Sequence, residues 1–229
     1  NRVDARFRSP TGEWVGASGR ARTLVYNTER VQESDLPQSA FDLTGAQWNG
    51  LVGWAPTNAS FQSFVTAMRR LSGEDATRQW LEAMLANGVQ SFDNNAAIVE
   101  AVGRGEILGG LVNHYYLFRF LEEQGEGFPA RNYFFPDGGA DALINIAGIG
   151  ILDSSDNQAN ALTFANYLLD NAAQQYFVDE TGEYPLVDGI EVNAWLPPID
   201  QLNPPQIDLS DLSDLQGTLD LLQEVGALQ

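Results

Sequence analysis

Short apolar strand patterns alternate with amphipathic helical patterns along this chain, without tandem hairpins. Strands that are separated by helices typically pair in a sheet that the helices cover, so the alternation predicts an α/β protein. The predicted strands are residues 21–27, 51–54, 108–113, 131–135 and 144–152.

Helical patterns fill most of the intervals between these strands. Apolar residues from Phe61 to Leu71 recur at i, i+3 and i+4, after a capping residue at Thr57 or Asn58. The remaining predicted helices are residues 74–87, 95–104, 114–124, 157–170, 171–179 and 211–226.

Charge and cysteine content narrow the functional classes. The formal net charge is -19, and the 12 basic residues are all arginines that precede residue 132. A phosphate-binding surface needs a basic face, so neither nucleic acid nor an anionic membrane surface is an expected partner. The chain has no Cys, which removes disulfides and thiolate metal sites. Any metal must therefore have oxygen or nitrogen ligands.

The strongest local motif is Asn113-His114-Tyr115-Tyr116, at the junction between a predicted strand and a predicted helix. Neighbouring strand residues point to opposite faces, so two adjacent tyrosines converge only where the backbone turns. A helix start also favours an anionic oxygen. A trivalent cation displaces phenol protons, and hard Fe(III) prefers such oxygen donors. The motif predicts phenolate ligands at Tyr115 and Tyr116, with aromatic packing as the alternative.

A small anion is the expected additional ligand, because two phenolates leave one positive charge on an Fe(III) complex. Free N–H groups at the helix start around residues 57–60 suit an anion, as do the amides of Asn95 and Asn113 and the guanidinium of Arg20. Each group also has a structural interpretation, since Asn58 and Asn95 can be plain helix caps and Arg20 a solvated charge.

Catalytic constellations are poorly represented. His114 is the only histidine, and we interpret it as hydrogen-bonded or turned away rather than as a ligand. With one His and no Cys, the chain offers few residues for a His-dependent nucleophilic triad, and no spacing singles out a carboxylate pair for glycoside hydrolysis. The chain is therefore predicted not to be an enzyme.

Five segments, residues 18–28, 48–65, 73–88, 94–107 and 110–121, together resemble the ferric-ion-binding periplasmic proteins, which are class II solute-binding proteins of ABC importers. The resemblance implies the type II periplasmic-binding-protein fold, with two α/β lobes around a ligand cleft. It implies Fe(III) as the transported ligand, carbonate or phosphate as a synergistic anion, and delivery to an ABC permease in the membrane. It also implies a periplasmic or cell-surface location, with a lipid anchor in the precursor left open.

The family's functional positions carry over by matching residues. Tyr115 and Tyr116 match the iron-binding phenolates, and Arg20 matches the arginine that can approach the anion. The positions that match the anion pocket are Asn58, Ala59, Ser60, Asn95 and Asn113. Other cargoes remain alternatives on the same fold, namely an oxyanion, a phosphonate, a polyamine or a sugar. A hydrolase on this scaffold and a purely structural interaction module are more remote.

The family's long first segment, which forms most of one lobe and often supplies a His to iron, has no counterpart here. We therefore expect an incomplete first lobe, completed by an N-terminal companion fragment or by dimerisation. The expected organisation is a residual first-lobe or hinge segment at 1–19, the tyrosine-bearing second lobe at 20–138, a remnant of the first lobe at 139–185, and a C-terminal extended segment with a closing helix at 186–229.

Overall fold

The computed structural model describes residues 2–228 and combines helices with strands, which confirms the α/β class. No helix in this range has the length and hydropathy needed to cross a membrane. The strands are β1 (Trp14–Asn27), β2 (Val52–Trp54), β3 (Gln90–Ser91), β4 (Gly109–Asn113), β5 (Ala130–Tyr133), β6 (Ile144–Gly150) and β7 (Tyr184–Pro185). The helices are α1 (Ala59–Ser72), α2 (Glu74–Ala86), α3 (Asn95–Gly103), α4 (Tyr116–Gln124), α5 (Gln158–Leu168), α6 (Asn171–Tyr176) and α7 (Leu215–Glu224).

The chain divides into two compact units. Unit 1 contains the N-terminal residues through Ala21, residues 144–201 and residues 207–210. Unit 2 contains residues 22–143 and 202–206 and the chain from Asp211 onward. Strand β1 contributes to both units, because the division falls between Ala21 and Arg22.

The sheet of unit 2 has the strand order β3-β2-β4-β1-β5. Strand β2 is parallel to β3 and β4, whereas β1 is antiparallel to β4 and β5. The register between β1 and β4 sets Arg22 opposite Asn113, at the carboxyl end of β4. Helices that connect parallel strands run back along them, so α1 and α3 both begin at this same edge of the sheet.

Close packing fixes the starts of α1 and α3. A Cβ atom at Gly110 of β4 would lie 2.1 Å from Ile98 Cγ2, so the absent side chain lets α3 pack directly on the strand. Helix α1 is anchored by Phe64, whose ring contacts Trp80 edge-on with centroids 5.7 Å apart. Both aromatic side chains are buried, and their burial holds the polar first turn of α1 in place.

Unit 1 is built on the N-terminal half of β1, which pairs antiparallel with β6 and β7. The buried side chain of Gln174 in α6 donates to Ala17 O at 2.6 Å and accepts from Leu186 N at 2.8 Å, so it joins α6 to the sheet. Several large apolar or aromatic side chains of this unit are exposed: Leu152, Leu162, Phe164, Tyr167 and Tyr176.

The predicted elements have the predicted types, and the differences lie at their ends. Strand β1 begins at Trp14 rather than at residue 21. Its first half was not predicted, because Gly16, Ser18 and Gly19 weaken the strand pattern there. The C-terminal helix is shorter than predicted: a 3-10 helix covers Leu209–Ser213, and α7 begins at Leu215 behind the capping side chain of Asp214. The two-residue strands β3 and β7 were not predicted.

The unit boundaries differ from the expected ones for local reasons. Arg20 pairs with Asn145 of β6 and so remains in unit 1. Residues 139–143 belong to unit 2, since Leu143 O accepts from Arg22 N at 2.9 Å. Residues 186–229 do not form one segment: their first part lies in unit 1, and α7 packs on α1 in unit 2 through a 2.7 Å hydrogen bond between Thr66 and Thr218.

Candidate functional site

The two adjacent tyrosines lie where β4 turns into α4. Their rings stack, with centroids 4.4 Å apart and planes 27° apart, and both side chains are only half-buried. His114 is fully buried, and its ring meets Tyr115 edge-on at 5.8 Å. Asn132 of β5 donates to His114 O at 2.7 Å and so holds the turn. The turn therefore brings the two phenols side by side and leaves both accessible.

A buried arginine, Arg22, lies beside the tyrosines. Its Nη2 donates to Leu111 O at 2.9 Å, and its Nη1 donates to Ser60 Oγ at 3.4 Å. Burial lowers the pKa of the Arg22 guanidinium to about 9, while the phenols of Tyr116 and Tyr115 oppose this effect. With a pKa near that value, the guanidinium still carries its charge at neutral pH.

The charge of Arg22 is not balanced by an acid within residues 2–228. No ion pair to it occurs in that range, and its Nε atom is buried without a hydrogen-bond partner there. Its guanidinium instead lies over the rings of Phe61 and Phe64, 5.6 and 5.1 Å from their centroids. A buried cation without an anion is costly, so this position favours a negatively charged ligand.

Polar groups from α1 and α3 converge beside Arg22. Asn58 caps α1, with its Oδ1 accepting from Ser60 N at 2.9 Å and from Ser60 Oγ at 2.6 Å. The fully buried Asn95, first residue of α3, donates to Ser60 Oγ at 3.3 Å. Its own Oδ1 is buried without a partner among the described residues. Ser60 therefore joins Asn58, Asn95 and Arg22 in one hydrogen-bonded cluster.

Two further predicted residues lie near this cluster in the fold. Asn113 is buried and opposes Arg22 across the β1–β4 pair, so the two side chains share a face of the sheet. Ala59 is the exposed first residue of α1. Unit 2 thus brings together all of the predicted positions except Arg20.

Arg20 lies in unit 1 and already has an acidic partner. Its Nε is 3.1 Å from Glu183 Oε2, and the same oxygen accepts a short hydrogen bond from Ser18. Glu183 is buried, so this pair is partly shielded from solvent. The role of Arg20 in anion binding stays a prediction, and Arg22 is the arginine that the fold sets beside the tyrosines.

Sequence reasoning missed Arg22 and Asn132. A signal for Arg22 was present, because it follows Arg20 by two residues and is the second residue of the predicted strand 21–27. The pairing of that strand with β4, which sets Arg22 opposite Asn113, is a tertiary feature that spacing alone does not reveal. Among residues 2–228, no group of three or more His, Cys, Asp and Glu side chains could hold a metal ion.

Comparisons with known proteins identify the family. Residues 1–208 match the model of the bacterial extracellular solute-binding proteins. The Fe(3+)-binding periplasmic protein of Serratia marcescens is 31% identical over 228 residues, which cover 99% of this chain and 67% of that protein. The chain thus spans about two thirds of the length of this relative.

Solved structures agree with this match. Iron-bound HitA from Pseudomonas aeruginosa superposes with a TM-score of 0.90 at 31% identity, covering 98% of this chain and 73% of HitA. The Trichodesmium protein IdiA (FutA), solved with iron and citrate ligands, gives 0.88 at 28% identity, covering 99% and 74%. The expected type II periplasmic-binding-protein fold class is therefore confirmed, and the chain belongs to the bacterial extracellular solute-binding protein family as a relative of its ferric iron-binding members.

Proposed function

We propose that this chain captures Fe(III) outside the cytoplasm through Tyr115 and Tyr116, together with a synergistic anion, and delivers it to an ABC permease. The observation that carries the proposal is the buried guanidinium of Arg22, which lies beside the stacked tyrosines without an acidic partner in residues 2–228. The iron-binding names of the relatives support the same cargo.

The charges account for the kind of anion. Fe(III) with two phenolates has one net positive charge, and the Arg22 guanidinium adds another. A dianion such as carbonate or hydrogen phosphate neutralises both charges, which matters because the guanidinium is fully buried. Citrate is a third candidate, since it accompanies iron in the Trichodesmium relative.

The anion has donors and one acceptor available. Arg22 Nε offers an unused N–H, and the first turn of α1, from Ala59, adds the positive end of a helix dipole. Asn95 Oδ1 is an unused acceptor, which suits the hydroxyl of hydrogen phosphate or bicarbonate. Rotating the Asn95 amide exchanges its oxygen and nitrogen and supplies a donor instead.

The exposed apolar side chains of unit 1 suggest what partner the chain has. Leu152 is 75% exposed, and Leu162, Phe164, Tyr167 and Tyr176 are each more than half exposed. The rings of Phe164 and Tyr167 stack with centroids 6.4 Å apart, and exposed apolar groups that lie together mark an interaction surface. We propose that a further polypeptide segment or a second copy of the chain covers them.

A second candidate function is oxyanion binding without iron. Arg22, Ser60 and Asn95 form a cluster that suits phosphate even if no metal binds the tyrosines. The two functions differ in what the tyrosines do, because only iron capture requires their hydroxyl groups.

The test is retention of Fe(III) by the chain after removal of free metal, measured by elemental analysis with carbonate, phosphate or citrate present and with each omitted. Iron capture predicts one bound iron per chain that depends on an anion. Phosphate binding without iron retention would instead support the oxyanion binder.

A further inference from the structure

A pair of carboxyl groups lies on the connector between β5 and β6, the segment through which the chain leaves unit 2. Asp141 in this connector is 3% exposed, and its Oδ2 accepts a short hydrogen bond from Ala40 N. Its Oδ1 is buried without a donor among the described residues. A buried carboxylate oxygen with no partner is costly, so a proton or a cation is expected there.

Asp137 supplies the neighbouring carboxyl group. A Cβ atom at Gly139 would lie 2.9 Å from Asp141 Oδ1 and 3.0 Å from Asp137 Oδ2, so the two oxygens flank the same point. Gly139 N donates to Asp137 Oδ1 at 3.1 Å and holds that side chain over the connector. Two carboxylates this close repel each other unless one of them is protonated.

The charged surroundings do not relieve this repulsion. Asp42, from the 3-10 helix Ala40–Thr44, and the phenol of Tyr133 in β5 lie near the pair, and neither is a cation. Helix α1 also packs against the connector, and its charged residues, Arg69 and Arg70, bind the α7 region instead. Burial raises the pKa of Asp141 to about 7; the amide of Ala40 opposes this effect, and Asp137 adds to it.

We infer that Asp137 and Asp141 share one proton and that this carboxyl pair makes the connector sensitive to pH. The shared proton gives the unpartnered oxygen of Asp141 a hydrogen bond and removes the repulsion between the carboxylates. The connector is therefore more stable when the pair is protonated. Loss of the proton leaves two adjacent charges and loosens residues 136–143. Asn203 donates to Pro136 O at 3.1 Å, so the segment 202–206 is tied to the same connector.

The sign follows from the raised pKa. The folded chain binds this proton more tightly than the unfolded chain, so the stability from the pair is complete below about pH 4 and is lost as the pH rises towards 7. This property concerns the connector alone and does not depend on iron binding.

The test compares melting temperatures between about pH 5 and about pH 8 for the wild type, Asp141→Asn, Asp137→Asn and the control Asp75→Asn, which removes an exposed carboxylate at the start of α2. The wild type and the control should lose on the order of 5 °C over this range, and the two pair variants should lose clearly less. An infrared band of a protonated carboxyl near pH 6 should be present in the wild type, weaker in Asp137→Asn because Asp141 keeps its burial but loses the neighbouring charge, and absent from Asp141→Asn.

Equal losses in all four proteins would overturn the inference, as would the absence of the infrared band in the wild type. Added Ca²⁺ that raises the melting temperature of the wild type, but not that of Asp137→Asn, would show a cation between the carboxylates and would also overturn it. If Asp141→Asn does not fold, Asp137→Asn still decides the question, because an asparagine oxygen can keep the hydrogen bond from Gly139.

Discussion

Replacing Arg22 with methionine removes a buried charge and keeps an unbranched apolar stem against Phe61 and Phe64. The fall of the Arg22 pKa to about 9 corresponds to a net destabilisation of the charged form by about 5 kcal/mol. Methionine removes that cost but leaves Leu111 O without its side-chain donor, at about 1–3 kcal/mol, whereas Ser60 Oγ still accepts from Asn95. It also loses the contacts of the guanidinium with the rings of Phe61 and Phe64, at about 1–2 kcal/mol each. These effects nearly cancel, so the free energy of unfolding should stay within about 2 kcal/mol of the wild-type value.

The response to anions should change far more than the stability. A ligand at one hundred times its Kd stabilises a protein by about 2.7 kcal/mol, and this is the gain expected for the wild type in phosphate or carbonate. Arg22→Met should gain less than about 0.5 kcal/mol, because the positive partner of the anion is gone.

The assay is urea unfolding followed by tryptophan fluorescence, with the anion replaced by chloride at equal ionic strength. Arg104→Met is the matched control, because the Arg104 side chain is 63% exposed and pairs with Glu100 on the surface. An undiminished anion response in Arg22→Met would refute the assignment of the guanidinium to the anion. A loss of unfolding free energy above about 4 kcal/mol would instead make Arg22 a structural group of the core.

Three further predictions concern α1 and the helix that packs on it. Ser60→Ala should weaken anion binding about tenfold in calorimetry, because the hydroxyl joins both amides to the guanidinium, whereas Ser63→Ala on the same helix should not. Arg69→Met should lower the free energy of unfolding by about 1–2 kcal/mol, and the more exposed Arg70→Met by less, because Arg69 is mostly buried between two acidic partners. A backbone amide of α7 and, secondarily, Arg69 lower the pKa of Asp214, so the contribution of Asp214 to stability is present above about pH 4 and is lost in acid. Asp214→Asn should therefore reduce the loss of stability in acid, and an unchanged loss would contradict this account.

Much of unit 2 could be predicted because its elements carry clear local signals. The α1 pattern is a strict apolar stripe behind a capping asparagine, and the structure places that helix at Ala59–Ser72. The turn before α4 was predicted from the change of periodicity beside Tyr115 and Tyr116, and the structure has it there. Local periodicity was sufficient in these cases because each of these helices buries only one face.

The remainder depended on contacts between distant residues. The N-terminal half of β1 is rich in glycine, and its strand conformation comes from pairing with β6, which lies more than a hundred residues later. The same strand separates two arginines that look equivalent in sequence: Arg20 pairs with Glu183, and Arg22 turns to the tyrosines. No pattern within β1 distinguishes them, because the distinction is made by the partner strands.

The most direct test of the central claim is a ferric titration that follows the visible charge-transfer band of phenolate bound to iron. It is performed with carbonate or phosphate on the wild type, Tyr115→Phe, Tyr116→Phe and the control Tyr167→Phe, which changes an exposed tyrosine of unit 1. We predict a saturable band in the wild type and the control, and its loss in both variants of the pair. A band that survives in Tyr115→Phe and Tyr116→Phe alike, or no band in the wild type, would contradict iron capture by these tyrosines.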